Sequence, residues 1–228
     1  TNLNPQQVCE ALTNNSISFY ETGIQHGTVT AVIDDYKFEI TSLREDVKTY
    51  GRHAKVRFST DWKKDALRRD FTFNAIYSDL EGNLFDPFNG KADLENGVVK
   101  FIGDAEQRIK EDYLRILRYI RFYLSYSNSK HKIEISKIIK KNIAGISNLS
   151  KERLLDELKK FFKSDILIQL TQDDLSLELF KIIFPQLKNI EIFSNLNNFA
   201  KSKVKEFDFI FLLSLLIIDG TDNTDYFL

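Results

Sequence analysis

The 228-residue sequence has no methionine, a single cysteine, three scattered histidines and no long apolar run. With Cys9 alone, no internal disulfide can form; this fits a reducing compartment and predicts a cytoplasmic protein. No histidine or other base lies near Cys9 in the sequence, so it reads as a small packed thiol rather than a nucleophile. His26, His53 and His131 are isolated and lack the spacing of a histidine metal site. The most apolar stretch, "FIFLLSLLII" at 209–218, is far shorter than the roughly 18 residues needed to cross a bilayer. It is predicted to be a buried helix, with no membrane partner. No signal peptide, internal repeat or low-complexity tract is visible. A formal charge of −1 excludes a globally basic surface for nucleic acid. A chain that opens on Thr1 and lacks methionine throughout reads as a piece of a longer translation product.

What is present suits a soluble fold: 43% hydrophobic and 29% charged residues, at a length for one large domain or two small ones. "NPQQVCEALT" (4–13) predicts a helix with Asn4 as N-cap and Pro5 at the first helical position. "TVTAVI" (28–33) and "YKFEITSL" (36–43) predict strands joined by a tight hairpin at Asp34-Asp35. "REDVKTYGRHAKVRF" (44–58) has weak periodicity, much charge and a glycine, which predicts a mobile loop. "FTFNAIYSDLEGNLFDPFNG" (71–90) holds an apolar segment, a turn at Glu81-Gly82-Asn83 and a short strand ending at Asp86-Pro87. Beyond Gly103, helical periodicity takes over at about 104–124, 132–143, 150–163, 174–183, 191–201 and 206–218. The fold class predicted is α+β: a small mixed α/β head over 1–103, then an all-helical neck and body over 104–228. Local charge is uneven. Between Lys130 and Lys163 ten Lys/Arg face four Asp/Glu, and basic residues also outnumber acids between Arg44 and Arg69. Such patches either track phosphates or are solvated helix faces.

Two charged clusters could carry chemistry. On a helical wheel, "EDYLRILRYIRF" (111–122) sets Tyr113, Ile116, Leu117 and Ile120 on one side. Asp112, Arg115 and Arg118 fall on the other at steps of three, with Arg121 further round. One reading is an exposed ion-pair ladder. The other starts from base edges: cytosine and adenine show an amine donor beside a ring-nitrogen acceptor, which a carboxylate and a guanidinium complement. Guanine and uracil place a carbonyl where the amine would be, and unpaired buried polar groups cost about 1–3 kcal/mol each. In "DALRRDFTFNA" (65–75), Asp65, Arg68 and Arg69 lie within one helical turn, and Asp70 and Asn74 follow closely. Arginine forks match phosphate oxygens, and Asp and Asn suit ribose hydroxyls; a structural ion-pair cluster is the alternative. Phe71, Phe73 and Ile76 would anchor this polar edge to a core. In the strand at 36–43, alternation places Glu39 with Thr41, opposite Phe38 and Ile40, so Glu39 is either wet or a metal ligand. His26-Gly27 either lets a ligand approach the backbone or is structural.

Five segments, in order and spacing, resemble the class II tRNA nucleotidyltransferase (CCA-adding enzyme) and bacterial poly(A) polymerase family. They are "GIQHGTVTAVIDDYKFEITSLRED" (23–46), "DALRRDFTFNAIY" (65–77), "DPFNGKADL" (86–94), "GDAEQRIKEDYLRILRYIRF" (103–122) and "ISNLSKERLLDELKKF" (146–161). The resemblance implies template-independent addition of C and A from CTP and ATP to tRNA 3′ ends, with two Mg²⁺ ions. It implies a nucleotide pocket of Arg69 with Asp112, Arg115, Arg118 and Arg121, in which Asp112 and Arg115 read the base edge; Asp70 and Asn74 accompany Arg69. The family's Gly-Gly loop and Asp-x-Asp pair do not occur here, and "TNLNPQQV" resembles the stretch just after them. The chain is therefore expected to start past its main metal ligands and to be inactive alone, with Glu39 in place of a third, supporting carboxylate. Poly(A) polymerase activity, a nucleotide- or RNA-binding part of a split enzyme, and a plain helical scaffold are the alternatives.

Overall fold

The computed structural model describes residues 1–50, 53–162, 165–204 and 206–218, the side chains of residues 22 and 46–55 excepted. The chain divides into two compact units, Thr1–Asp93 with Lys100–Gly103, and Leu94–Val99 with Asp104–Leu228.

The first unit opens with a reciprocal cap. Each of Asn4 and Gln7 accepts the other's backbone N–H on its side-chain oxygen at 2.9 Å, and Pro5 presets the first turn of α1 (Pro5–Asn14). Val8 and Leu12, one turn apart, pack on Val29 and Ala31 of an antiparallel sheet ordered β1 (Ser18–Gly23), β2 (Thr28–Ile33), β3 (Tyr36–Thr41). Asp34 and Asp35 both take positive φ, 48° and 65°, giving the two-residue turn whose twist matches its strands. The sequence pattern does not announce β1, whose pairing slips between Tyr20 and Gly23.

Residues 44–50 and 53–58, the described part of 44–58, are not a loop. They form the hairpin β4 (Arg44–Tyr50) and β5 (His53–Phe58), with a register shift between Asp46 and Lys48. A two-stranded ribbon is held by its backbone ladder and needs no apolar face, while Val47, Thr49, Tyr50, Val56 and Phe58 favour extended backbone. Charge density hides that preference from a periodicity argument. Gly51, Arg52 and the side chain of His53 lie outside the described residues.

Asp61 caps α2 (Trp62–Leu67) by accepting the Lys63 N–H at 2.8 Å. A 3₁₀ turn over Thr72–Ala75 leads to the small hairpin β6 (Tyr77–Ser78) and β7 (Leu84–Phe85), with Gly82 at φ 87° in its turn. Phe71 is fully buried against Phe101 and Phe73. Asp86 accepts the N–H groups of Gly90 and Lys91, both at 2.8 Å, at the start of α3 (Gly90–Glu95). Gly90 also lies against the backbone of residues 72–73: an added Cβ would stand 2.2 Å from the Thr72 carbonyl oxygen and 2.7 Å from the Phe73 nitrogen. Backbone cannot swing aside, so Gly90→Ala is expected to lower stability by about 1–3 kcal/mol. Urea denaturation checks this, and an unchanged midpoint would refute the packing.

The second unit is helical: α4 (Ala105–Glu111), α5 (Leu114–Tyr126), α6 (Ile133–Asn142), α7 (Lys151–Phe161), α8 (Ile166–Leu170), α9 (Asp174–Ile183), α10 (Asn198–Val204) and α11 (Phe209–Ile217). Ile116, Leu117 and Ile120 of α5 are fully buried, as are Phe161, Leu167 and Phe180. Three expectations are corrected. The helix predicted over 104–124 breaks at Asp112, which is extended at φ −155° and ψ 104°. Its carboxylate accepts the Leu114 N–H at 3.2 Å, the local competition that makes Asp a poor helix interior and a good terminus. The helix predicted over 191–201 is a 3₁₀ turn, Ile190–Asn195, followed by the separate α10. The stretch 209–218 is not a buried helix: α11 buries Leu212 and Leu216 but leaves Ile210 66% and Phe211 44% exposed.

Candidate functional site

In the first unit the opening charges of "DALRRDFTFNA" converge on Asp65, which is 1% exposed. One oxygen accepts from Arg68 Nε and Nη2 at 2.9 and 2.7 Å and from the Arg44 N–H at 3.2 Å. The other accepts from Arg69 Nε and Nη2 at 3.3 and 3.1 Å and from the Tyr77 hydroxyl at 2.8 Å. Burial works to raise the pKa of Asp65, but the charge of Arg68 and these hydrogen bonds outweigh it and hold the carboxyl below its ordinary value. Tyr77 is pushed up to about 12, first by burial and then by its bond to Asp65.

This network fixes Arg69 without hiding it. Nη1 donates to the Asn74 carbonyl at 3.2 Å, the guanidinium lies 5.2 Å from the centre of the Tyr77 ring, and 37% of the side chain stays exposed. Asp70, by contrast, is buried. Its Oδ1 accepts the Phe71 N–H and the Asn74 side-chain amide, both at 2.9 Å, so it orients the half-exposed Asn74 rather than facing outward itself. Glu39 stands exposed on the sheet face it shares with Thr30 and Thr41, opposite Ile40, which packs toward α1. Among the described residues no group of three or more His, Cys, Asp or Glu could hold a metal ion. A lone exposed carboxylate does not make a two-ion site.

In the second unit Asp112 and Arg115 are neighbours that do not pair. Asp112 Oδ2 accepts from Arg153 Nη2 of α7 at 2.7 Å. Arg115 Nη1 donates to Glu111 Oε2 at 2.9 Å and to the Arg108 carbonyl at 2.6 Å. Burial tends to raise the pKa of Glu111, but Arg115 and Arg108 overcome it and hold it low. The ion-pair ladder, one of the two readings of this segment, is therefore not formed by Asp112 and Arg115; each is braced separately. Arg118 and Arg121 turn to Glu157 of α7, which is 1% exposed: Arg121 Nε donates at 2.7 Å and Arg118 Nη1 lies 4.0 Å away. The Arg121 guanidinium also covers the Phe122 ring at 4.1 Å.

Arg153, Glu157, Glu111 and Tyr77 are the partners that sequence reasoning leaves unassigned. Two traces exist: Glu111 stands four residues before Arg115 with opposite charge, and Arg153 and Glu157 carry opposite charges at i,i+4 in "KERLLDE", although the partners of the latter two lie 36 to 41 residues away along the chain. His131 is not isolated in space; it bridges Asp173, at 2.9 Å, and the Tyr119 hydroxyl, at 3.1 Å. Chemically, the second unit presents a fixed acceptor, Asp112, beside a fixed donor, Arg115, at a helix break, and the first unit presents a braced guanidinium, Arg69.

Comparison with known proteins gives this arrangement a context. The family described as Poly A polymerase head domain matches residues 1–100, and the one described as probable RNA and SrmB- binding site of polymerase A matches residues 132–191. The mitochondrial CCA tRNA nucleotidyltransferase 1 of Mus musculus is 47% identical over 168 residues, covering 72% of this chain and 39% of that protein. The CCA-adding enzyme of Staphylococcus haemolyticus is 37% identical over 163 residues, covering 71% of this chain and 40% of its own length. The chain thus spans about two fifths of these relatives. Among solved structures, the Bacillus stearothermophilus CCA-adding enzyme in complex with CTP matches with a TM-score of 0.61 at 23% identity, over 84% of this chain and 53% of that one. An apo CCA-adding enzyme matches with a TM-score of 0.71 at 19% identity, over 97% and 55%. The latter two share the fold: a head with small antiparallel sheets and a helical body. On these grounds the chain belongs to the family of class II tRNA nucleotidyltransferases and bacterial poly(A) polymerases.

Proposed function

We propose that the protein adds C and A nucleotides from CTP and ATP to tRNA 3′ ends, and that Asp112 and Arg115 read the base edge. The observation that carries this is the separate bracing of an acceptor and a donor three residues apart, Asp112 by Arg153 and Arg115 by Glu111. Neither group neutralises the other, so both keep hydrogen-bonding capacity for a ligand. In this reading Arg69 contacts phosphate oxygens, Asn74 a ribose hydroxyl, and Arg118 and Arg121 supply positive field. Lys and Arg side chains between 130 and 163 contact RNA phosphates. Two Mg²⁺ ions would supply electrostatic stabilisation of the phosphates in the whole protein, and of the described residues here Glu39 would at most be a supporting ligand. The names of the relatives, CCA tRNA nucleotidyltransferase and CCA-adding enzyme, support the substrate class.

Equilibrium dialysis of the four nucleoside triphosphates against this chain tests the reading. CTP and ATP are expected to bind more tightly than UTP and GTP. Arg115→Ala is expected to weaken CTP and ATP by about tenfold or more, the loss of one charged hydrogen bond, and to leave UTP and GTP nearly unchanged. Equal binding of all four would overturn the base-reading role. With the whole protein and a tRNA lacking its 3′ end, long tails made from ATP alone would instead indicate a poly(A) polymerase.

A further inference from the structure

We infer that α7 is the positioning element of this nucleotide-reading face, and that Arg153 is a positioning residue that sets base selectivity through Asp112. The inference rests on the role given above to Asp112. Arg153 and Glu157 sit four residues apart on α7 and therefore on one side of it, with opposite charge. That side meets residues 112–121 with complementary sign: Arg153 on Asp112 at 2.7 Å, and Glu157 on Arg121 at 2.7 Å with Arg118 at 4.0 Å. Glu157 takes one more donor, Lys160 Nζ at 2.7 Å.

Asp112 needs such a brace. It is extended, outside both flanking helices, and 23% of its side chain is exposed, so neither helix packing nor burial fixes its torsions. Two contacts do: the Leu114 N–H on Oδ1 at 3.2 Å and Arg153 on Oδ2 at 2.7 Å. With both oxygens held, the plane of the carboxylate is set. About two of its roughly four lone-pair positions remain for a ligand. An amine-bearing base meets an acceptor already in place. A base with a carbonyl there meets an acceptor that cannot turn away, and this repulsion is what rejects it. Remove Arg153, and one weak backbone contact remains. The carboxylate can then rotate, the repulsion relaxes, and selectivity falls while the pocket persists.

The test is the ratio of CTP to UTP affinity, measured by dialysis for the wild-type chain, Arg153→Ala, Arg153→Gln and Arg153→Lys, with thermal unfolding followed in parallel. Arg153→Ala and Arg153→Gln are expected to lower the ratio about tenfold, mainly by tightening UTP and loosening CTP, and Arg153→Lys to recover part of it. In an Asp112→Asn background, Arg153→Ala should change the ratio no further, because the residue acts only through Asp112. A folded Arg153→Ala or Arg153→Gln protein that keeps the wild-type ratio would overturn the inference. So would equal loss of CTP and UTP, which marks a merely structural role. If Arg153→Ala does not fold, the Arg153→Gln protein, which keeps a polar side chain, decides. Absence of any CTP preference in the wild type would sink the base-reading role itself, a different failure from an intact preference that ignores Arg153.

Discussion

Asp65→Ala is expected to destabilise the first unit by about 3–5 kcal/mol, the loss typical of breaking a buried ion pair from one side. The side chain is 1% exposed and receives donors from Arg68, Arg69, Tyr77 and the Arg44 backbone. Alanine would remove the acceptor that two guanidiniums, a phenol and an amide share. Urea denaturation monitored through Trp62, whose ring meets Tyr77 edge-on at 5.1 Å, reads the change; an unaltered midpoint rejects the network. The same carboxylate predicts a pH dependence. Its pKa in the folded state is lowered from 3.8. Its contribution is therefore fully present above the unfolded value and is lost as pH falls through the folded one. Wild-type stability should fall on acidification through that range more steeply than that of Asp65→Ala. A parallel fall would show that Asp65 contributes nothing to acid sensitivity. Because Asp65 also fixes Arg69, the variant should bind all nucleoside triphosphates more weakly.

Several elements are legible because their signals are local. The Asn4 cap, Pro5, the Asp34-Asp35 turn and the alternation of β2 and β3 each lie within a few residues. The hairpin at 44–58 is not legible, because a backbone ladder between charged strands leaves no apolar period to read. The break at Asp112 is missed for another reason: 3.6-residue periodicity runs through it, while the Leu114 N–H and a partner 41 residues away hold the carboxylate out of the helix. The candidate site divides in the same way. Arg69, Asp112 and Arg115 stand in conspicuous charged segments, and Asp65 gathers its arginines within one turn. The ion pair between Asp112 and Arg115 that the ladder reading offered is absent, because spacing shows which side chains can meet but not which competitor, Glu111 or the distant Arg153, takes each. Asp70 shows the same limit, since its type suits a ligand hydroxyl while its burial assigns it to Asn74.

Glu157→Ala should also cost about 3–5 kcal/mol, now in the helical unit, and with a distinct signature. Glu157 is 1% exposed and accepts from Arg121 and Lys160, both at 2.7 Å. Arg121 is itself only 13% exposed, so without its carboxylate a largely buried guanidinium loses its main counter-charge, and the contact with Phe122 at 4.1 Å replaces little of it. Lys160 is 44% exposed and can return to water, so the loss comes mainly from Arg121. Glu157→Gln keeps an acceptor for Arg121 Nε and should lose only part of the stability, which separates charge from packing. In dialysis, Glu157→Ala should weaken CTP and UTP by similar factors if, as proposed, Arg118 and Arg121 contribute positive field rather than base-edge contacts. Arg153→Ala should instead change the ratio. A Glu157→Ala protein that folds with wild-type stability would show that α7 does not support Arg121. One that lost CTP selectivity alone would move the base-reading role from Asp112 toward Arg118 and Arg121.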